Sequence, residues 1–227
     1  MDENFSLNKY NKALNTAVEK LEKFYNKYEK CDEEYLREQI FLEYKKHNLD
    51  PDGKAIRERD GIKCTADGMH SIYRICNMES DKSNIVSVYE KYRKYPIFFF
   101  PSEQEGINQT RAKKYVYGDR IDYTLYDLKL ALEGKTDLCR LNTAYKQPKT
   151  AKWLDSFDNS FKELIDWYEI KGIFTDDSYN VLNIETGEII SEIPPQEYFS
   201  HGWTKEYYEN LKEKIDAWYK EQGIGNE

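Results

Sequence analysis

Apolar residues return every seven positions at the start of the chain, at Leu7, Leu14, Leu21 and Tyr28, with Tyr10, Ala17 and Phe24 between them. This spacing predicts an amphipathic helix that opens near Ser6, a residue type that caps helix N-termini. Val18 and Tyr25 add a third apolar column, wider than a coiled-coil seam. The helix is therefore expected to pack on the protein's own core, and homodimerisation through it is the less favoured alternative. Asp32 is placed to cap a second helix to about His47, with Leu36, Ile40 and Tyr44 at four-residue steps.

Periodicity then lapses from Asn48 to Gly68, where Asp50-Pro51-Asp52-Gly53, Asp60-Gly61 and Asp67-Gly68 predict a long loop with a short hairpin. A helix over about Ser83–Lys94 carries Ile85, Val88, Tyr89 and Tyr92 on one face and stops at Pro96. The apolar run Ile97–Phe100 is short and flanked by prolines, which predicts a buried strand. A polar loop carrying Asn108 and Arg111 is expected next. Asp122 is the expected cap of a helix with the stripe Leu125, Leu128 and Leu132, ended by Gly134.

One further helix is predicted from Thr150 to about Tyr168 and another from Thr204, with Tyr208, Leu211, Ile215 and Trp218 on one face. Between them, Tyr179–Ile184 and Glu188–Ile193 flank Thr186-Gly187 as a hairpin that Pro194 and Pro195 end. Strands do not alternate with helices. The expected class is α+β, a mainly helical single domain over residues 1–227 whose small sheet contains Ile97–Phe100 and the Gly187 hairpin. Within it, residues 1–95 read as a mostly helical part, 96–221 as the part carrying the polar clusters, and 222–227 as a tail.

Composition narrows the function classes. Of the 227 residues 39% are hydrophobic, but 15% are aromatic, including 20 Tyr, so a tyrosine-rich core and surface are expected rather than disorder. A formal net charge of −8 and a pI near 5.2 argue against a general nucleic-acid or anionic-membrane coat. No apolar run approaches the roughly 20 residues of a membrane-spanning helix. Cys31, Cys64, Cys76 and Cys139 are widely spaced and no secretory signal is visible, which points to free thiols and a cytoplasmic setting. Cys64, His70 and Cys76 are too loosely spaced for a structural zinc site, and Asp50 and Asp52 lack the later ligands of a calcium loop. No metal or cofactor is expected, and no nucleophile setting assigns a reaction.

One window runs against the acidic trend. Between Tyr89 and Arg120 there are seven Lys and Arg against four acidic residues, interleaved with Tyr89, Tyr92, Tyr95, Tyr115 and Tyr117. Aromatic faces beside basic groups can stack a base and hold its phosphate. The candidate site residues are Asn108, Arg111, Arg120 and Asp122. Arginine presents a planar fork to phosphate or carboxylate, asparagine both donates and accepts, and a carboxylate orients a guanidinium. The same four residues also suit an internal brace, with Asp122 as a helix cap.

The run Ile107-Asn108-Gln109-Thr110-Arg111, followed by Asp119-Arg120-Ile121-Asp122-Tyr123-Thr124-Leu125, resembles a bacterial family catalogued only as a domain of unknown function. In that family Ile-Asn-x-x-Arg precedes Asp-Arg-x-Asp-Leu-Thr-Leu and a helix. The likeness extends over roughly residues 96–220; Tyr123 stands where the family pattern has Leu, and Ala112 where it has Gly. The resemblance implies a bacterial or bacteriophage setting and no particular reaction. Two functional expectations follow. One is binding of an anionic ligand, a nucleotide or nucleic-acid end, at the four-residue cluster. The other is a non-catalytic interaction or inhibitor protein that uses an acidic, Tyr-rich surface against a partner protein.

Overall fold

The computed structural model describes residues 56–66, 99–113, 116–118, 120–200 and 204–221. The helices expected near Ser6, Asp32 and Ser83, and residues 89–98, 114–115 and 119 of the basic window, lie outside the described residues. The described part is α+β and mainly helical, with a three-stranded antiparallel sheet of order β1-β2-β3. Strand β1 (Ile56–Arg59) joins β2 (Ile62–Ala66) through Asp60 and Gly61. Both turn residues have positive φ, 49° and 75°, as a two-residue turn matching the twist of its strands requires. Strand β3 (Phe99–Pro101) pairs with β2 from Cys64↔Pro101 to Ala66↔Phe99.

The buried strand expected at Ile97–Phe100 is thus present from Phe99, but its partner is the Asp60-Gly61 hairpin. The Gly187 hairpin is not part of this sheet. Around Gly187 the chain forms isolated antiparallel bridges, Thr175↔Val181 and Leu182↔Ile189. The side chains that seal the sheet are aromatic. Phe100 meets Trp153 and Tyr168 edge-on, at 6.4 Å between centroids in both cases. Arg59 lies 4.0 Å over the Phe157 ring and donates to Ser156 Oγ and O, at 2.8 and 2.6 Å.

Helix α1 (Ile107–Lys113) occupies the segment expected to be a polar loop. Ile107, Thr110 and Arg111 are all buried, and their three- and four-residue spacing is that of one helical face. Helix α2 (Ile121–Leu132) is nearly encircled by other elements, with Leu125, Leu128 and Leu132 buried as the stripe predicts. It stops at Gly134, φ 75°. There Gly134 N donates to Ala131 O and Lys135 N to Leu130 O, the paired bonds of a Schellman end that needs a left-handed residue.

After a short 3-10 turn (Thr136–Leu138) come α3 (Asn142–Tyr145), α4 (Pro148–Asp155) and α5 (Phe161–Tyr168). The single helix expected from Thr150 to Tyr168 is two. Asp158 and Asn159 adopt φ of 50° and 58°, and Ser160 restarts the helix by accepting from Glu163 N. The Ser160-x-x-Glu163 spacing is a helix-start signal inside what looked like one continuous stripe. Helix α6 (Gln196–Ser200) and α7 (Lys205–Glu221) follow. Thr204 opens α7 by accepting from Tyr207 N, and Tyr208, Leu211, Ile215 and Trp218 are all buried.

Candidate functional site

The start of α2 brings together two of the most buried polar groups among the described residues. Arg120 is 1% exposed and Asp122 0%, and they face each other as a fork on a fork: Nε to Oδ1 at 3.0 Å, Nη2 to Oδ2 at 2.7 Å. The rest of the guanidinium reaches segments more than 60 residues away. Nη1 donates to Glu185 Oε2 at 3.0 Å and to the Tyr198 hydroxyl at 2.8 Å, and Nη2 donates to Asn183 Oδ1 at 2.8 Å. A guanidinium has five N–H groups. All five are taken up by the protein.

The same count closes Asp122. Its Oδ1 accepts from Arg120 Nε and Tyr123 N, its Oδ2 from Arg120 Nη2 and Ile184 N, which fills the roughly four acceptor positions of a carboxylate. Asp122 is therefore not the helix cap that its sequence position suggests. It sits in the first turn, beside the positive end of the helix dipole, and ties that turn to the backbone at Ile184. Three tyrosine rings enclose the guanidinium, with centroids 4.6 Å (Tyr207), 4.9 Å (Tyr123) and 5.5 Å (Tyr198) from its central carbon. Burial alone would lower the Arg120 pKa, but the Asp122 charge, its hydrogen bonds and the neighbouring Tyr207 and Tyr198 together outweigh it and hold the group above its ordinary value.

Asn108 and Arg111 belong to a different setting. Asn108 Oδ1 accepts from Arg111 Nε at 3.3 Å, one helical turn along α1, and Arg111 Nη1 donates to Gly118 O at 2.9 Å. Arg111 is 3% exposed and lies 5.7 Å over Phe100, on the side of the sheet. The four candidate residues thus form two pairs: Asn108 with Arg111, and Arg120 with Asp122. One pair anchors α1 beside Phe100, the other anchors residues 183–198 on α2.

A second buried carboxylate, Asp127, lies on the next turn of α2. Its Oδ2 accepts from the Tyr117 hydroxyl at 2.5 Å and from Arg140 N at 2.7 Å, and its Oδ1 accepts from the Tyr145 hydroxyl. Burial pushes Asp127 above the ordinary carboxylate value, against the hydrogen bonds that pull it down. Cys139 is pushed up to about 12 by burial and by Asp127, so its thiol stays protonated at neutral pH. Arg140 continues the ties outward, with Nη1 donating to Gln196 Oε1 at 3.3 Å and Nη2 to Pro194 O. Residues 183–198 are therefore fastened to the α2 side by Arg120 and Arg140.

What these ties present is acidic. From Gly172 to Thr204 the sequence has six Asp and Glu and no Lys or Arg. Asp177, Glu188, Glu192 and Glu197 are exposed, and so are Ile189, at 54%, and Tyr198, at 36%. Glu185 is pushed up by burial, but hydrogen bonds from Thr204 and the Arg120 charge leave it below the ordinary glutamate value. The sequence pattern did not single out Asn183, Glu185, Tyr198 or Tyr207, because they meet Arg120 only through the fold. The absence of Lys and Arg over 172–204 was the visible signal of this surface.

Among the described residues no group of three or more His, Cys, Asp and Glu is placed to hold a metal ion, and no helix is long and apolar enough to cross a membrane. Comparison with protein-family models, with curated proteins and with solved structures finds no match.

Proposed function

We propose that this protein is a non-catalytic protein-binding module whose Arg120–Asp122 hub holds an acidic surface, residues 183–198, in a fixed shape for a basic partner. The observation that carries this reading is the complete use of Arg120: five donors on four residues, three of them in the segment presented. An anionic ligand at this cluster would have to displace one of these acceptors inside a cage of three tyrosines, an exchange with a heavy desolvation penalty. A surface of one charge sign speeds and selects encounter with a partner of the opposite sign. Tyr198, exposed at 36% and held by Arg120, adds contact area with few rotatable bonds to freeze. The bacterial or phage setting implied by the Ile107–Leu125 resemblance belongs to this proposal.

The test is purification of the tagged chain from bacterial extract, alongside a variant combining Glu188→Lys, Glu192→Lys and Glu197→Lys. The expected result is a stoichiometric heteromeric complex that the triple variant and high salt abolish, with an ultraviolet spectrum that shows no nucleotide. A bound nucleotide that Arg111→Ala removes would support the ligand reading instead and overturn this one.

A further inference from the structure

Among the described residues, the segment around Gly187 ends in a bare strand edge. Asn183 N donates to Glu188 O and Ile190 N donates to Val181 O, both at 2.8 Å, and these two bonds flank the bridge Leu182↔Ile189. In an antiparallel ladder the residues between such bonds turn their own N–H and C=O away from the partner strand. Leu182 uses its outward N–H on the far side, donating to Phe174 O at 2.8 Å. Ile189 is the residue on the outer edge, and among the described residues nothing meets its N–H or C=O. The next outward carbonyl, Ser191 O, is closed by the Tyr126 hydroxyl at 2.6 Å.

We propose that this edge is the docking point for an extended, basic segment of the partner protein, which adds one short antiparallel strand at Ile189. This rests on the protein-binding reading above and names how the partner engages. Strand addition takes its affinity from main-chain hydrogen bonds and its specificity from neighbouring side chains. Here the bonds would be the pair exchanged with the Ile189 N–H and C=O, and an apolar side chain of the partner would cover Ile189. Charge complementarity selects a basic segment: Glu188 adjoins Ile189, Glu192 lies three residues on, and no Lys or Arg occurs between Gly172 and Thr204.

The deciding variant is Ile189→Pro. Proline at this position removes the outward N–H together with the isoleucine side chain, and involves neither the bond of Val181 with Ile190 nor that of Asn183 with Glu188, as an edge position allows. Ile189→Thr keeps the N–H and serves as its control. The probe is the peptide acetyl-Lys-Val-Lys-Val-Lys-Val-Lys-amide, titrated into the labelled full chain and followed by amide NMR. The expected result is saturable binding with shifts centred on residues 187–191 and slowed exchange at the Ile189 amide. Ile189→Pro should weaken binding about tenfold at unchanged melting temperature, whereas Ile189→Thr should keep it. N-methylation of alternate peptide nitrogens, or Glu in place of Lys, should abolish it. Equal binding to the proline variant or by the N-methylated peptide, shifts centred elsewhere, or no binding at all would overturn the proposal. A heteromeric complex from extract that survives Ile189→Pro but not the triple charge reversal would overturn edge docking while leaving the protein-binding reading intact.

Discussion

Replacing Arg120 by Met separates a brace from a binding site. Methionine keeps apolar contact with the three tyrosine rings around the guanidinium, so the change removes charge and donors rather than bulk. Asp122, fully buried, keeps only the Tyr123 and Ile184 amides, and a stranded buried charge costs about 3–5 kcal/mol. Asn183, Glu185 and Tyr198 are partly exposed and can rehydrate, so they add little. For a chain of this size the melting temperature should fall on the order of 10 °C. Urea unfolding followed by tryptophan fluorescence, with unchanged m-value, measures this directly. Adding Asp122→Asn should recover about 1–2 kcal/mol, because a neutral amide needs no guanidinium yet still accepts from Ile184. A loss within about 0.5 kcal/mol for Arg120→Met, or a double variant no better than the single one, would mean that the pair is not the closed brace described above.

The other predictions concern the pH response, the sheet and a helix end. Glu185 has a folded-state pKa below its unfolded one, so its contribution is full above the ordinary glutamate value of about 4.3 and lost as pH falls through the folded value. The stability gap between wild type and Glu185→Gln should accordingly be present at neutral pH and close on acidification, read from urea midpoints at a series of pH values. Arg59→Ala loses two hydrogen bonds to Ser156 and the stack on Phe157; it should cost about 2 kcal/mol and speed amide exchange selectively in Ile62–Ala66. Gly134→Ala meets no neighbour within 4 Å but inherits φ 75°, so it should cost about 1 kcal/mol through backbone strain alone, measurable as a lowered melting temperature.

Short-range rules made much of the fold legible. The Leu125, Leu128 and Leu132 stripe, the Gly134 stop, the Thr204 cap and the Phe99–Pro101 strand follow from residues within a turn or two of one another. Pairing across the fold was not legible. Nothing local tells Phe100 to pair with Thr65 rather than join the Gly187 hairpin, and the break at Ser156–Ser160 hid behind apolar spacing that continues through it. Arg120 and Asp122 stood out because they are two residues apart. Their outcome was decided by Asn183, Glu185 and Tyr198, 63 to 78 residues away, where sequence spacing carries no signal.

The closed state of Arg120 can be observed at the guanidinium itself. In arginine-labelled protein the Arg120 Nε–H resonance should exchange slowly with water and stay in place as pyrophosphate, ATP or a 5′-phosphorylated oligonucleotide is titrated, because Asp122 holds that proton. A saturable shift of this resonance with any of these anions, accompanied by faster exchange, would contradict the brace and return the cluster to ligand binding.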